Sequence, residues 1–257
     1  MIRDLGLRRG RERRGLALAE GVRLVEEALA AGVPLRGAAV SPALEATTRG
    51  RALKATLVTS GTRLDEMSDA ELAQLADTEQ PQGVIAIIEP PRRSLRDMVL
   101  RPSSGGSAPC AAVLVLDAVQ DPGNVGTMLR TALGLGAAGV VALKGTAELT
   151  NPKVIRGSMG ALFRLPAVAA TPAEFLSWAE QDRVEIIVAA ADGAPVERHT
   201  ASAGPVAIVV GNEGAGVSAA IASAAVRTIA IPLRPGAESL NVGVAAGILL
   251  YEVLRER

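Results

Sequence analysis

Apolar positions in the first third of the chain predict a small α/β unit. Between residues 21 and 31 they recur at helical spacing, and Gly32 followed by Pro34 supplies a stop. The pattern that follows is shorter in period and predicts strands separated by helical stretches. The predicted strands are residues 37–40, 56–59 and 83–88, with a helix at residues 69–76.

The pattern changes beyond residue 108 to long apolar runs that alternate with helical segments. Runs that are apolar on both faces are typical of a mostly parallel sheet covered by helices on each side, in which ligands bind beyond the carboxyl ends of the strands. The predicted fold class is therefore α/β, with a small α/β domain at residues 1–90, a Pro-, Gly- and Ser-rich linker at 91–108 and the large domain at 109–257. The predicted strands of that domain are residues 112–116, 139–143, 185–189, 206–210 and 228–231.

Composition narrows the class of protein. The chain has 257 residues, 49% of them hydrophobic, and it contains no apolar run of the ~18 residues that a membrane helix needs. Its single cysteine, Cys110, excludes an intramolecular disulfide, so we expect a protein of the reducing cytoplasm with no membrane span. The single histidine, His199, has no catalytic or metal-ligand motif around it, so hydrolytic triads and metal sites lack support.

The net charge of zero conceals a basic segment at the start of the chain. This segment is suited to the phosphates of a nucleic acid, although a solvated helical face explains it equally well. Aromatic residues make up only 2% of the chain, which disfavours recognition by base stacking and leaves contacts to shape, phosphate and ribose. The candidate phosphate-contacting residues are Arg8, Arg9, Arg11, Arg13 and Arg14.

The first segment that carries chemistry runs from Leu116 to Ala132, where a strand ends in a turn that opens a helix near Asn124. Arg130 lies four residues after Gly126 on one helical face, and helical side chains lean toward the N-terminus. We therefore expect its guanidinium to reach the strand ends, where it could hold a phosphate, orient RNA or assist proton removal from a ribose hydroxyl. The alternative for Arg130 is a surface arginine.

Two further segments have the same strand-then-loop form. After the strand at 206–210 comes a glycine-rich loop in which Glu213 could pair with a cation or orient Arg130, although this loop alone is of weak specificity. After the strand at 228–231, the chain leads into an apolar helix that ends near Glu252, with Ser239 as the expected N-cap. Because that helix is apolar on nearly every side, we expect it to pack against a second subunit as well as its own sheet.

A glycine pattern at Gly134, Gly136 and Gly139 matches the dinucleotide-binding fingerprint by letters alone. The fingerprint should follow a strand and open a helix, whereas this pattern closes the helix of Arg130 and leads into a strand. We therefore interpret it as a helix C-cap, which disfavours a nicotinamide-dependent oxidoreductase.

Taken together, in this order and spacing, the three segments resemble the motifs of the SpoU (TrmH-like) family of RNA ribose 2′-O-methyltransferases, within the SPOUT superfamily. Residues 121–126 through Arg130 are similar to the first motif, residues 211–214 to the second, and residues 231–232 with 239–241 to the third. Residues 156–161 resemble the short segment that the family carries between its first and second motifs. Residues 11–15 and 19–21 look like parts of the family's small RNA-binding domain, which is related in shape to a ribosomal protein.

The resemblance implies a C-terminal trefoil knot, a homodimer and S-adenosyl-L-methionine as cofactor, with no metal. It further implies that Arg130 is the catalytic arginine and that the site around it is shaped by Asn124, Glu213, Ser239 and Asn241. The cofactor-binding residues that it implies are Val210, Gly211, Asn212, Gly214, Ile231, Leu233, Ser239 and Leu240.

The reaction implied by the resemblance is methyl transfer to a ribose 2′-hydroxyl in structured RNA. The small N-terminal domain favours 23S ribosomal RNA as the substrate, by analogy with family members. The alternatives are a transfer RNA 2′-O-methyltransferase and a noncatalytic RNA-binding protein of ribosome assembly, against which the intact set of motif residues argues.

Overall fold

The computed structural model describes residues 1–100, 111–196, 204–236 and 239–254. Cys110, His199 and residues 101–108 of the expected linker lie outside these ranges. The chain forms two compact units: Met1–Arg92 with Thr150–Arg164, and Arg93–Leu149 with Leu165–Arg257. Residues 150–164, which the sequence pattern assigned to the large domain, thus fold with the N-terminal unit.

The first unit is built on a four-stranded sheet of order β1-β4-β2-β3. Strand β4 pairs antiparallel with β1 and β2, and β3 pairs parallel with β2. The predicted strands at 37–40 and 83–88 are confirmed as β2 and β4, whereas β1 and β3 were missed because runs of three or four residues give too little periodicity to detect. The strands are β1 (Ala17–Glu20), β2 (Leu35–Val40), β3 (Leu64–Glu66) and β4 (Val84–Ile88).

The N-terminal part of the first unit adds five α-helices to this sheet, and one of them corrects a predicted strand. The predicted strand at 56–59 is wrong, because these residues form the last turn of α4. Their β-branched side chains suggested a strand, but the hydroxyls of Thr56 and Thr59 donate to the carbonyls of Ala52 and Ala55 at 3.0 and 2.9 Å, which suits helical backbone. The helices are α1 (Ile2–Gly6), α2 (Arg8–Arg14), α3 (Val22–Ala30), α4 (Thr48–Thr59) and α5 (Asp69–Ala73).

The second unit contains the six-stranded sheet, of order β10-β8-β9-β5-β6-β7, in which all neighbouring strands pair parallel. This confirms the predicted parallel sheet. Its central strands are buried on both faces, as their apolar runs require. Strand β7 was not predicted. The strands are β5 (Ala112–Asp117), β6 (Gly139–Leu143), β7 (Ala167–Ala170), β8 (Glu185–Pro195), β9 (Val206–Gly211) and β10 (Arg227–Ala230).

Helices cover this sheet and place the loops at its carboxyl edge. On one face, Phe175 and Trp178 pack on alternate residues of β5 and β6, and elsewhere α11 packs on α6, β5 and β9. No helix in the described ranges is long and apolar enough to cross a membrane. The trefoil knot remains a prediction. The remaining helices are α6 (Pro122–Leu135), α7 (Pro152–Ser158), α8 (Ala161–Arg164), α9 (Pro172–Gln181), α10 (Ala219–Ala222) and α11 (Val242–Leu254), of which α7 and α8 belong to the first unit.

The ends of α6 and α11 set the geometry of the candidate site. Helix α6 begins at Pro122, two residues before the predicted start, because the Asp121 carboxylate accepts the Asn124 amide at 2.7 Å and caps the helix. Its C-cap, Gly136, has φ 78°, which confirms the C-cap interpretation of the glycine pattern. The predicted N-cap Ser239 is wrong for α11, since the Asn241 side chain accepts the Gly243 amide at 2.9 Å.

Candidate active site

The first and second motif segments leave the large sheet side by side. Strands β5 and β9 are adjacent and parallel, with Asp117 opposite Gly211 at their carboxyl ends. The loops that follow therefore lie at the edge where parallel sheets bind ligands.

A polar network joins all three motif segments at this edge. Asn124 donates from Nδ2 to Glu213 Oε1 at 2.8 Å, and Asn241 donates from Nδ2 to Asn124 Oδ1 at 3.0 Å. Asn124 is half-buried, while Glu213 and Asn241 are exposed. Both side-chain atoms of Asn124 are therefore engaged, and the Glu213 carboxylate is held in a fixed direction while still open to a ligand.

The glycine-rich loop between β9 and α10 is folded around Asn212. Its Oδ1 accepts the amides of Gly214 and Ala215 at 2.9 and 3.0 Å, and its Nδ2 donates to the Ala118 carbonyl at 3.1 Å. A Cβ on Gly211 would lie 2.2 Å from backbone carbon of Gly216, so the loop closes only with glycine there. Asn212 thus positions the loop that carries Glu213.

A buried carboxylate fastens the other end of the same loop. Asp117, the last residue of β5, is 3% exposed, and its Oδ2 accepts the Ser218 amide at 2.7 Å. Ala118, which follows it, has φ 58°. The sharp turn after β5 therefore turns the chain toward the loop after β9.

A cavity of about 500 Å³ opens beside the third motif segment, between the ends of β8 and β10 and the start of α11. Its lining residues are largely aliphatic, and they include the segment 231–233 and Ser239. The volume lies within the range of about 300–1,000 Å³ that small-molecule sites occupy. The lining residues are Ala189, Ala190, Ala191, Gly193, Pro195, Ile229, Ala230, Ile231, Pro232, Leu233, Ser239, Leu240, Ala245 and Leu249.

An irregularity in β8 creates one wall of this cavity. The register with β10 jumps from Val188 opposite Thr228 to Ala194 opposite Ile229, so the residues between them leave the ladder. Gly193 then returns so close to β10 that a Cβ would lie 2.5 Å from the Ile229 carbonyl carbon. A larger residue at 193 would push the wall away from the strand.

The predicted cofactor residues divide into two sets. Four of them line the cavity, namely Ile231, Leu233, Ser239 and Leu240. The other four belong to β9 and the loop beyond it and are not among the lining residues, namely Val210, Gly211, Asn212 and Gly214.

Sequence reasoning missed the wall formed by residues 189–193. The available signal was the run of three alanines at residues 189–191, followed by Asp192 and Gly193. The small side chains of the alanines and of the glycine leave room for a ligand. The bulge that turns these residues toward the cavity depends on pairing with β10, which cannot be deduced from the local pattern.

Arg130 lies on the exposed side of α6 and outside the polar network. Thr127, one turn earlier, is also exposed, whereas Gly126 lies on the buried side of the same helix. Within the part of the chain that the structure describes, Arg130 makes no hydrogen bond or ion pair, and it is not among the residues with further contacts. Its guanidinium is therefore available to a ligand or to another chain.

The N-terminal arginines differ in their availability. Arg11 is 4% exposed and donates from Nη1 to the carbonyls of Leu5 and Gly6, both at 3.0 Å, so it serves the packing of α1 on α2 and not the predicted phosphate contact. Arg8 pairs with Glu12 at 2.7 Å. Arg9 is exposed and forms no ion pair or hydrogen bond with any described residue.

Asp4 neutralises the other two arginines of this set. Its carboxylate accepts from Arg14 at 2.6 Å and from Arg13 at 2.9 Å. These bonds, that of Arg14 foremost, hold the pKa of Asp4 below its usual value. Arg13 and Arg14 are thus exposed but already paired.

No group of three or more His, Cys, Asp or Glu side chains within the described ranges could hold a metal ion. The site therefore consists of the polar network, the adjacent cavity and an exposed arginine on the helix that bears the network. Such a set supports binding of a small cofactor and of a polar substrate beside it.

The chain belongs to the SpoU rRNA methylase family, which matches residues 111–251. The MRM3-like substrate binding domain matches residues 1–86. The fold and the site thus define an RNA-modifying methyltransferase of the SpoU class.

Individual relatives cover almost the whole chain. The 23S rRNA (guanosine(2553)-2′-O)-methyltransferase RlmP of Bacillus subtilis is 33% identical over 98% of this chain and 93% of its own. The 23S rRNA (uridine(2479)-2′-O)-methyltransferase of Streptomyces viridochromogenes is 32% identical over 98% of this chain and 87% of its own. Among solved structures, the SpoU methyltransferase AviRb from the same species, in complex with AdoMet, superposes with a TM-score of 0.84 at 29% identity, over 98% of this chain and 94% of that one.

Proposed function

We propose that this protein transfers a methyl group from S-adenosyl-L-methionine to a ribose 2′-hydroxyl of 23S ribosomal RNA. The observation that carries the proposal is the meeting of all three motif segments, through Asn124, Glu213 and Asn241, next to a cofactor-sized cavity. The relatives named above carry out this reaction type on 23S rRNA, according to their names. The protein would act in the cytoplasm.

The cavity fits the cofactor in size and chemistry. Its aliphatic walls suit an adenine ring, while backbone groups of residues 231–233 and the Ser239 hydroxyl could bind the polar groups of the cofactor. Ile231, Leu233, Ser239 and Leu240 would hold the cofactor together with the small residues at 189–193. S-adenosyl-L-methionine supplies, when bound, a methyl group on a sulfonium centre.

The chain's own residues must position the ribose and manage one proton. We assign Arg130 to the RNA, where its guanidinium would hold a phosphate or the 2′-oxygen as the hydroxyl loses its proton. A guanidinium is a poor base, so holding and charge stabilisation are the roles that the chemistry of Arg130 favours. Glu213, fixed by Asn124, would orient either Arg130 or the ribose.

We propose a homodimer that forms through α6 and α11. The two helices border a groove of about 510 Å³, and Val244 and Tyr251 beside it are 53% and 51% exposed. Large exposed apolar side chains on a helix of this hydrophobicity are typical of a subunit interface. Light scattering should give twice the chain mass for the wild type. A wild type that remains monomeric at micromolar concentration would contradict this assignment.

The N-terminal unit would hold the RNA. Arg8, Arg9, Arg13 and Arg14 lie exposed on α2 and could reach phosphates once competing carboxylates are displaced. Each phosphate contact that is removed should reduce the magnitude of the slope of log affinity against log salt concentration by about one. Arg9→Ala is expected to change that slope, and Arg11→Ala to lower the free energy of unfolding instead.

The proposal is tested by transfer of labelled methyl to total RNA from a strain that lacks the protein. Label in 23S ribosomal RNA is the expected result. Label only in transfer RNA would keep the chemistry but replace the substrate. Absence of both transfer and binding of S-adenosyl-L-methionine would contradict the methyltransferase proposal itself.

A further inference from the structure

Residues 150–164, the inserted segment, fold with a different unit from the strands that flank them. The chain leaves the large sheet after β6, forms α7 and α8 within the first unit, and returns to the large sheet at β7. The Asn151 side chain accepts the Lys153 amide at 2.9 Å and caps α7, and Met159 and Gly160 turn the chain with φ 50° and 87°. The segment is therefore a built element and not a loose loop.

Packing holds the inserted segment in the first unit. Helix α7 packs on β1, and Val154 and Ile155 on that helix are fully buried. At the turn, a Cβ on Gly160 would lie 2.7 Å from Glu27 Cβ, a distance that real Cβ atoms do not tolerate. The turn and α3 thus approach each other as closely as a glycine allows.

Two ion pairs accompany this packing. Arg156 Nη1 lies 2.9 Å from Asp77 Oδ2, and Arg164 pairs with Glu27 on α3. In each pair one side chain is half-buried (Arg156, Glu27) and its partner is exposed (Asp77, Arg164), so solvent screens their attraction only somewhat less than that of fully exposed pairs. The pairs fix both helices of the inserted segment.

Glu20, at the end of β1, also binds the segment that contains Asp77. The Glu20 carboxylate accepts the amides of Asp77 and Thr78 at 2.8 and 3.2 Å and the Thr78 hydroxyl as well. Residues 77–78 therefore connect two sequence signatures, the one around Glu20 and Gly21 and the one that starts at Arg156. Neither signature has a part in the polar network of the candidate active site.

We infer that Arg156 and Arg164 are positioning residues that anchor the inserted segment in the RNA-binding unit, with Arg156 acting through Asp77. This inference rests on the proposed function. The chain passes between the two units at residues 92–93, 149–150 and 164–165, and the last two passages are tied to the anchored segment. The anchor thereby holds the end of β1 and residues 77–78 in place within the RNA-binding unit, and a misplacement of about 1 Å far from the chemistry can cost a hundredfold in rate.

Hydrogen exchange of the full chain tests the anchor without any reference to activity. Arg156→Ala is expected to raise amide exchange in residues 76–79, and Asp77→Ala to raise it in residues 150–164, because each removes the partner that holds the other segment. Arg49→Ala is the matched control, since it breaks the Arg49–Glu26 pair of the same unit. Unchanged exchange in both test variants would overturn the anchor.

Charge exchange then tests the effect on the reaction. Arg156→Asp and Asp77→Arg should each raise the KM for RNA about five- to tenfold and leave the Kd for S-adenosyl-L-methionine unchanged, and the double variant should recover most of the loss. A double variant that recovers none of the loss would overturn the inference, because the loss would then not come from the Arg156–Asp77 pair. Single variants with unchanged KM would overturn it as well. If the wild type methylates no RNA, the proposed function fails, while the exchange data still decide the anchor.

Discussion

The carboxyl edge of the large sheet and the basic N-terminal segment, which forms helices α1 and α2, were both predicted to carry function, and their polar side chains are arranged differently. At the sheet edge, the bonds of Asn124 join it to residues 89 and 117 positions away in the sequence. In the helical pair, Arg8 bonds Glu12 four positions away, and Arg13 and Arg14 bond Asp4 nine and ten positions away. One region gathers distant residues, and the other neutralises its own charge.

This difference shows which sequence signals carry functional information. Each hydrogen bond contributes only about 0.5–1.5 kcal/mol of net stability. Stability therefore does not explain why polar side chains from three segments meet at an exposed edge, whereas a binding or catalytic site does. Local ion pairs on a helix are explained by the helix itself. A count of arginines therefore overstates the basic surface, whereas the three motif segments do meet at one edge of the sheet.

The largest expected effect comes from the arginine that stands outside both arrangements. Arg130→Ala should lower kcat about 10²- to 10³-fold if Arg130 stabilises, as proposed, the charge that develops in the transition state. The Kd for S-adenosyl-L-methionine, measured by calorimetry, should stay within about twofold of wild type. Arg130→Lys is the matched control, and it should recover only part of the activity because lysine lacks the planar fork. Full turnover by Arg130→Ala would remove Arg130 from the site.

A change in the cavity wall should act on cofactor binding instead. Gly193→Ala places a Cβ 2.5 Å from the backbone of Ile229, so we expect the wall to shift and the Kd for S-adenosyl-L-methionine to rise about tenfold or more. Gly134→Ala is the control, since a Cβ there meets no atom within 4 Å in α6. If calorimetry gave the two variants equal affinities for S-adenosyl-L-methionine, the cofactor would bind outside this cavity.

Breaking the polar network should have a smaller effect. Asn124→Ala removes the bonds to Glu213 and Asn241, and we expect kcat to fall about tenfold as the Glu213 carboxylate loses its direction. Because the three side chains form one network, Asn124→Ala and Glu213→Gln should be non-additive in a double-mutant cycle. Additive losses would mean that the residues act independently.

The smallest expected effect lies in the helical pair. Asp4→Asn removes the charge that neutralises Arg13 and Arg14, and affinity for ribosomal RNA at low salt should rise about twofold if these arginines reach phosphates. Filter binding over a series of salt concentrations measures this change. Unchanged affinity would leave the two arginines as structural residues of α1 and α2.

The pH dependence of stability provides the control for Asp4. Since its folded pKa is lowered, mainly by Arg14, its stabilising contribution is present above the unfolded pKa of about 3.9 and is lost as pH falls through the folded value. The difference in Tm between wild type and Asp4→Asn should therefore shrink below about pH 4. A difference that is constant across this range would rule out the ion pair as its cause.

The large sheet was predictable because β5, β6 and β9 are apolar on both faces and give strong signals. The site was predictable in part, since Asn124, Glu213 and Asn241 follow strands whose carboxyl ends meet in a parallel sheet. Ser239 was misplaced as a cap because serine and asparagine are equally good caps by type, and only the backbone shows which is used. Arg11 was misread because its burial depends on packing between two short helices.

Pairing and tertiary packing decided the rest. The cavity wall at 189–193 depends on a register jump against β10, and the fold of the inserted segment with the first unit depends on Asp77 and Glu27, more than 70 positions away in the sequence. Such contacts leave no local periodicity. At Thr56 and Thr59 the local signal was present but misleading. Their β-branched side chains favour a strand, and the helix in which they lie decided their conformation.

The most direct test of the central claim is nucleoside mass spectrometry of 23S ribosomal RNA after incubation with the wild-type enzyme and S-adenosyl-L-methionine. The account predicts one additional nucleoside whose methyl group lies on the ribose, stoichiometric with the RNA and absent with Arg130→Ala. A methyl group on a base, or the same ribose product from Arg130→Ala, would contradict it.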